Sequence, residues 1–292
     1  MAARAARSDL HRASTGRSLN ASPGLPAHRP RKRFGQHFLR DRAVIERIVA
    51  AIAPAADDLL LEIGPGDGAL TAALAARVRH LDVVEIDRDL AARLAGDYDP
   101  ARLTVHNEDA LDLDLGRLPR PLRVVGNLPY NISTPLLFHL LAQADRIRDM
   151  HFMLQREVVD RMVAAPSSPQ YGRLSVMVQH RSAAVRLFTV PPQSFRPAPK
   201  VDSAMVRLIP RAAQDLGDVD AGRFAEVVTQ AFSHRRKTLR NALASVIGPE
   251  QLIGAGVDPG SRPENLSFED YRRLARTPDQ RDPALSHKRT LR

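Results

Sequence analysis

Short apolar runs alternate with segments of helical periodicity along most of the chain. From residue 43 onward, apolar residues recur every three or four positions, as in 43–52, and then give way to short, largely apolar runs such as 59–63. We expect seven strands, at 59–63, 81–86, 103–106, 122–125, 151–154, near 185–189 and near 203–209, with helices at 43–52, 69–78, 88–94, 135–142 and 157–163. Alternating strands and helices predict an α/β fold with a parallel sheet covered by helices.

The pattern changes near residue 211, after which helices dominate. We expect these helices at 223–232, 237–246 and 268–275, the last capped by Ser267. We therefore predict an α/β domain over residues 30–210, a small C-terminal all-α domain over 211–277 and a loose tail over 278–292. Residues 1–29 are rich in Ala, Arg, Ser and Pro without a sustained apolar period, and we expect a disordered basic tail.

Charge is concentrated at the amino terminus. Residues 1–40 hold nine Lys and Arg residues against the single acid Asp9, which is +8 of the net charge of +10. This composition indicates a polyanionic partner, although an Arg-rich, acid-poor start also describes a mitochondrial transit peptide or a misassigned start codon.

The chain lacks cysteine, which excludes disulfides, cysteine-ligated zinc and cysteine nucleophiles. We predict no metal site, no membrane span and a cytoplasmic monomer.

A glycine-rich loop follows the first predicted strand of the sheet. Residues 64–68 read Gly-Pro-Gly-Asp-Gly, and glycines there allow a backbone to approach a ligand closely. Glu85 ends the next strand and could accept hydrogen bonds from ribose hydroxyls, while Asp109 follows the third strand and could accept one from an adenine amine. The pattern fits S-adenosylmethionine, but a nicotinamide dinucleotide or a purely structural turn also remains open.

Residues 126–135 read GNLPYNISTP and follow the fourth strand. The side-chain oxygen of Asn127 could accept one N–H of an adenine N6 amine, and a backbone carbonyl of Leu128 or Pro129 could accept the other. Tyr130 offers a ring on which a base can stack. Alignment of this kind suits methyl transfer to an aromatic amine, which requires positioning more than a strong base. An ordinary turn with Tyr130 in the core is the alternative interpretation.

Five ordered motifs resemble those of the ribosomal RNA adenine dimethyltransferases. They are RKRFGQHFL at 31–39, EIGPG at 62–66, GNLPYNIS at 126–133, SFRPAPKVDS at 194–203 and AFSHRRKTLR at 231–240. The resemblance implies a seven-stranded, Rossmann-like S-adenosylmethionine-dependent methyltransferase domain at 30–210 and a helical RNA-binding domain at 211–277. It also implies cofactor contacts for a set of six residues: His37, Leu39, Gly64, Glu85, Asp109 and Asn127. His37 departs mildly from the asparagine that is common there.

Within the family, the motifs look most like those of the small-subunit branch. That branch implies dimethylation of two adjacent adenosines in the 3′-terminal hairpin of 16S ribosomal RNA, late in small-subunit assembly. A large-subunit resistance methyltransferase and a non-catalytic assembly factor on the same fold are the alternatives. We also hypothesise that leucine at position 128, rather than a second proline, leaves room for the first methyl group.

Two groups of side chains are candidates for RNA contact. Phe195 lies between prolines, where an exposed ring could clamp the second face of a flipped adenine, although core packing is the alternative. A basic helix at 235–240 and a basic patch at 31–33 could contact phosphates. The residues concerned are Arg235, Arg236, Lys237, Arg240, Arg31, Lys32 and Arg33.

Overall fold

The computed structural model describes residues 36–281, and its centre is a seven-stranded mixed sheet. Its strands are β2 (Leu59–Ile63), β3 (Leu81–Val84), β4 (Leu103–His106), β5 (Leu122–Asn127), β6 (Ile147–Gln155), β7 (Ser182–Val190) and β9 (Ser203–Pro210). The order is β4-β3-β2-β5-β6-β9-β7, and β9 is antiparallel to both of its neighbours. All seven predicted strands are therefore confirmed, but the expectation of a parallel sheet was wrong for β9, because β9 runs back between β6 and β7.

A second, two-stranded ribbon was not predicted from the sequence. It pairs β1 (Phe38–Leu39) with β8 (Phe195–Arg196) in antiparallel register, with Leu39 opposite Phe195. Residues almost 160 positions apart therefore become neighbours. The ribbon brings the segment before the first helix to the loop that precedes β9.

Helices cover both faces of the sheet. They are α1 (Arg42–Ile52), α2 (Ala69–Ala75), α3 (Arg88–Asp97), α4 (Ser133–Ala142), α5 (Arg156–Met162) and α6 (Arg173–Arg181). The carboxylate of Asp41 caps α1 by accepting the N–H groups of Ala43 and Val44, and the apolar face of α1 is buried. Two separate clusters of buried apolar side chains lie against the sheet. This is the helix-covered sheet that the alternating pattern predicted.

The carboxyl-terminal part is helical, as expected, but its helices differ from the prediction. They are α7 (Ala213–Leu216), α8 (Ala221–Ser233), α9 (Leu239–Ala242), α10 (Pro249–Gly254) and α11 (Phe268–Ala275). The side chain of Ser267 caps α11, which confirms that N-cap. A helix over 237–246 was wrong, because only Leu239–Ala242 is helical.

The short extent of α9 has a local cause in its hydrogen bonds. The backbone N–H groups of Leu239 and Arg240 donate to the carbonyls of Ser261 and Pro259, at 2.8 and 3.0 Å. Those N–H groups are therefore not paired with carbonyls of residues 235 and 236, and the helix does not extend backwards into the basic run. Arg235, Arg236 and Lys237 lie in a turn instead, and Arg240 is in the first turn of α9.

The helical core is shared across the predicted boundary at residue 211. Phe224, Leu243 and Tyr271 pack in one buried cluster with Tyr171 and Val176, which precede that boundary. Helix α6 therefore links the sheet to the C-terminal helices, and the division at 211 stays a prediction. The predicted tail over 278–292 lies largely outside the described residues, and the predicted tail over 1–29 lies wholly outside them. Within the described part of the chain, no helix is long and apolar enough to span a membrane.

Candidate active site

A pocket opens at the carboxyl ends of β2, β3 and β5, where the strand order of the sheet reverses. Ligands of open α/β sheets bind at this position. The pocket contains about 1130 Å³ of empty space, its open mouth included. All of the predicted cofactor residues line it, as does the predicted base-holding segment: His37, Leu39, Gly64, Glu85, Asp109, Asn127, Leu128, Pro129 and Tyr130.

The glycine loop after β2 has a backbone that ordinary side chains disfavour. Gly64, Gly66 and Gly68 have φ angles of 68, 59 and 86°. The N–H of Gly64 donates to the carbonyl of Val84 at 2.9 Å, which joins the loop to β3. A Cβ on Gly66 would lie 3.0 Å from the ring of Phe38. Because its glycines have no side chains, the loop can pack closely against Phe38 of the β1–β8 ribbon and leave its backbone accessible to a ligand.

Glu85 is held by backbone donors. Its two carboxylate oxygens accept the N–H groups of Gly66, at 3.1 Å, and of Asp87, at 2.9 Å. Burial raises the pKa of Glu85, whereas these two hydrogen bonds favour the charged form. The carboxylate is thus fixed in orientation and keeps lone pairs for hydroxyl donors. Asp109 is half-buried, and its Oδ1 accepts the N–H of Leu111 at 2.9 Å.

Glu62 is part of the EIGPG motif at 62–66, but the sequence suggested no role for it. Its side chain is 2% exposed, lines the pocket, and its Oε2 has no hydrogen-bond partner within residues 36–281. Burial is the main cause that raises the pKa of Glu62 to about 8; the nearby Glu85 and Asp67 contribute in the same direction, and the Thr71 hydroxyl acts in the opposite one. An unpartnered buried carboxyl group is costly unless a donor or cation pairs with it. The signal that could have found Glu62 is a single carboxylate within the apolar run 59–63, directly before the glycine loop.

Asn127 ends β5 with its amide in a defined orientation. Its Nδ2 donates to the backbone carbonyl of His37 at 2.9 Å. Because a carbonyl only accepts hydrogen bonds, the NH₂ group must point at His37, and Oδ1 remains as an acceptor. Gly126 makes the position possible, since a Cβ there would lie 2.5 Å from the carbonyl oxygen of Ile63. The arrangement agrees with the acceptor role expected for Asn127.

The next residues are anchored to the sheet. The N–H of Leu128 donates to the carbonyl of Met153 at 3.2 Å, and the Leu128 side chain is buried in the core. The hydroxyl of the half-buried Tyr130 lies 2.8 Å from Oγ of Ser203. Burial raises the pKa of Tyr130, so its hydroxyl is neutral. Tyr130 is therefore at the pocket rather than in the core, and the ordinary-turn interpretation does not hold.

Comparison with known proteins decides between the open interpretations. The sequence model described as "Ribosomal RNA adenine dimethylase" matches residues 27–279. The chain belongs to this family. It is 57% identical to the ribosomal RNA small subunit methyltransferase A of Thiobacillus denitrificans over 244 residues, which are 84% of this chain and 96% of that protein. The corresponding protein of Chromobacterium violaceum is 53% identical, over 86% of this chain and 96% of its own length.

Solved structures of related enzymes have the same fold as this dimethylase. A dimethyladenosine transferase from Plasmodium falciparum superposes with a TM-score of 0.71 at 25% identity, over 82% of this chain and 96% of that one. The 23S rRNA methyltransferase ErmE superposes with a TM-score of 0.63 at 29% identity, over 81% and 97%. The predicted Rossmann-like methyltransferase fold and the enzyme class are confirmed.

Phe195 does not occupy the exposed position that the sequence suggested. Its side chain is 5% exposed and packs in a core cluster with Leu39 and Val190. The expectation of an exposed ring was wrong, because the pairing of β8 with β1 places Phe195 opposite the buried Leu39. In this structure of the dimethylase, Phe195 offers no free face to a base.

The basic residues of the C-terminal part are exposed, but three of the four lie in a turn and only Arg240 is helical. Arg235, Arg236, Lys237 and Arg240 are all exposed around the junction of α8 and α9. Arg235 differs from the others, because its Nε lies 3.5 Å from Oε2 of Glu264 and its Nη2 donates to the carbonyl of Pro169 at 3.3 Å. Arg235 therefore also ties the turn to the loop between α5 and α6. The patch at 31–33 lies outside the described residues.

Proposed function

We propose that this dimethylase transfers methyl groups from S-adenosylmethionine to N6 of two adjacent adenosines in the 3′-terminal hairpin of 16S ribosomal RNA. The reaction would act on the immature small subunit, and so in the cytoplasm. The observation that carries the proposal is the orientation of Asn127, whose Oδ1 is left as an acceptor beside Tyr130 in one pocket. The 51–57% identity to relatives named small subunit methyltransferase A favours this ribosomal subunit.

The residues of the pocket suit the proposed cofactor. Bound S-adenosylmethionine supplies a methyl group on a positively charged sulfur, and it also carries an ammonium group. Glu62 provides a buried carboxyl oxygen, Oε2, that has no hydrogen-bond partner within residues 36–281, which suits a cationic ligand. Glu85 keeps acceptor capacity for ribose hydroxyls, and Asp109 for an adenine amine. Gly64 leaves room for close approach of the ligand, and we assign His37 and Leu39 to the methionine end.

The target base would be held by the segment that follows β5. The Oδ1 of Asn127 would accept one N–H of the adenine amine, and a carbonyl of Leu128 or Pro129 the other. Tyr130 would stack on the base, a contact that is worth roughly 1–3 kcal/mol per base. Two acceptors orient the nitrogen lone pair toward the methyl group, and alignment alone can supply about 7–11 kcal/mol. No covalent nucleophile is needed.

The exposed basic turn would bind the RNA backbone. Arg236, Lys237 and Arg240 are exposed cations close to one another in sequence, and contacts of this type position RNA without reading its sequence. We propose phosphate contacts for them, and a shared phosphate and structural role for Arg235. The same role for Arg31, Lys32 and Arg33 remains a prediction, as does the monomeric state.

The proposal is tested by incubating the protein with labelled S-adenosylmethionine and undermethylated small subunits, with large subunits in parallel. The modified nucleosides are then separated. Dimethyladenosine in small-subunit RNA alone is the expected result, and Asn127→Ala should abolish it. Label in large-subunit RNA would instead indicate the activity named for the ErmE relative. Tight RNA binding without any label would indicate a non-catalytic factor.

A further inference from the structure

His37 contacts three parts of the proposed base site at once. Its backbone carbonyl accepts Nδ2 of Asn127 at 2.9 Å, and its Nδ1 lies 2.8 Å from the carbonyl oxygen of Pro197. Its imidazole ring stacks on Tyr130, with the ring centroids 5.8 Å apart and an interplanar angle of 28°. All three contacts involve the segment that would hold the base or the loop beside it.

The two stacked rings are each held at a second point. The carbonyl of Pro197 can only accept, so Nδ1 of His37 carries the proton, and this bond restrains the imidazole. The hydroxyl of Tyr130 lies 2.8 Å from Oγ of Ser203, which restrains the phenol ring at its far end. The pair of rings therefore has little freedom to change its angle. If Tyr130 stacks on a base, such restraint favours binding, because the ring loses less conformational entropy when the base binds.

The β1–β8 ribbon explains why His37 is in this place. Phe38 pairs with Arg196, so the residue before Phe38 lies beside the residue after Arg196, which is Pro197. The same ribbon buries Phe195, the ring that the sequence offered as a clamp. Within residues 36–281, the ring that stacks on Tyr130 is the imidazole of His37.

We propose that His37 is a positioning residue for the target base, in addition to lining the cofactor pocket. Its imidazole supports one face of Tyr130 and keeps the phenol ring at the angle needed for stacking on the adenine. Its carbonyl keeps the Nδ2 of Asn127 occupied, so that Oδ1 faces N6. This inference rests on the proposed function, because the base in question is the adenine of that reaction.

The test compares three variants that leave the backbone carbonyl in place. His37→Ala removes the ring, His37→Asn keeps a polar side chain without an aromatic face, and His37→Phe keeps the face without the N–H. Single-turnover methyl transfer is measured at saturating S-adenosylmethionine and undermethylated small subunits, and cofactor affinity is measured separately by equilibrium dialysis. Thermal unfolding of each variant checks that it is folded.

We expect His37→Ala and His37→Asn to slow methyl transfer about fivefold at saturating S-adenosylmethionine, the range of an aromatic pair, on top of any loss of cofactor affinity that the dialysis measures. His37→Phe should recover most of the rate. A loss confined to cofactor affinity would overturn the proposal, and so would a His37→Phe variant as slow as His37→Ala. If His37→Ala does not fold, the proposal is tested by the methyl-transfer rates of the other two variants, and His37→Phe should be faster than His37→Asn. Failure of the proposed function would appear differently, as absence of label from the wild-type protein.

Discussion

The guanidinium of Arg272 donates from Nε to Nδ1 of His180 at 2.9 Å, and from Nη2 to the carbonyl of the same residue at 3.2 Å. Both side chains are buried, and the His180 ring also stacks on Phe224 with centroids 3.9 Å apart. The contact joins α11 to α6. Because Nε of Arg272 is a donor, Nδ1 of His180 must be unprotonated, and the ring is neutral.

Stability should fall when acid forces a proton onto His180. Burial, with nearby Arg272, lowers its pKa from 6.5 to about 3, so the unfolded state binds a proton that the folded state does not. The contribution is fully present above pH 6.5 and is lost as the pH falls toward 3. We expect His180→Gln, which keeps an acceptor for Arg272, to show a weaker loss of unfolding free energy between pH 7 and pH 5. Urea unfolding at both pH values measures it, and an identical loss in wild type and variant would contradict the assignment.

Cofactor affinity should depend on pH through Glu62. Its pKa is raised to about 8, so the empty pocket holds a protonated Glu62 at neutral pH, and a cationic ligand must displace that proton. Affinity for S-adenosylmethionine should therefore rise between pH 6 and pH 8. Calorimetric titration of wild type and Glu62→Gln checks this. Glu62→Gln should bind S-adenosylmethionine more weakly, and its affinity should depend less on pH. If its affinity has the same pH dependence as that of the wild type, Glu62 is not the group that titrates.

Loss of the Asn127 amide should stop chemistry more than binding. Asn127→Ala removes the proposed acceptor for N6 together with the bond to His37. Misplacement of a reacting group by about 1 Å can cost roughly 100-fold in rate, and we expect at least that loss in single-turnover methyl transfer. RNA affinity, measured by filter binding, should stay within about threefold of wild type. Normal turnover by the variant would refute the role of Asn127.

Position 128 should influence the second methylation. Leu128→Pro removes the N–H that donates to Met153 and also shrinks a buried side chain. We expect lower stability and accumulation of monomethyladenosine, because the displaced backbone crowds the first methyl group. Leu128→Ile is the matched control, since it retains the N–H and the side-chain volume. Chromatography of nucleosides gives the ratio of mono- to dimethyladenosine, and full dimethylation by Leu128→Pro would remove the hypothesis.

RNA affinity should depend on salt through the basic turn. Replacement of Arg236 and Lys237 by alanine should reduce the slope of log affinity against log salt by about 1.4, at roughly 0.7 per single-strand phosphate contact. Arg235→Ala should change the slope less, because Arg235 already lies near Glu264. Arg79→Ala is a control, since Arg79 is exposed and pairs with Asp57. An unchanged slope in the double variant would show that the turn does not bind phosphate.

Local patterns of residues were sufficient to predict the strands and the glycine loop of the methyltransferase domain. The run 59–63 and the glycines of 64–68 depend on neighbours within a few positions, and that is the range over which sequence patterns report structure. The same holds for the N-cap at Ser267. The convergence of Gly64, Glu85 and Asn127 followed from the rule that ligands bind where strand order reverses.

Long-range contacts decided the rest of the site. The stacking of His37 on Tyr130 joins residues 93 positions apart, and the burial of Phe195 depends on a ribbon with β1 that no local pattern predicts. The basic run was expected to be helical, yet the hydrogen bonds from Leu239 to Ser261 and from Arg240 to Pro259 leave residues 235–237 in a turn before α9. The sequence by itself thus determined the family, the strands of the sheet and most of the residues singled out at the pocket, with Glu62 as the exception. Only the tertiary structure decided which side chains are buried, oriented or free to meet RNA, because those properties arise from packing between distant segments.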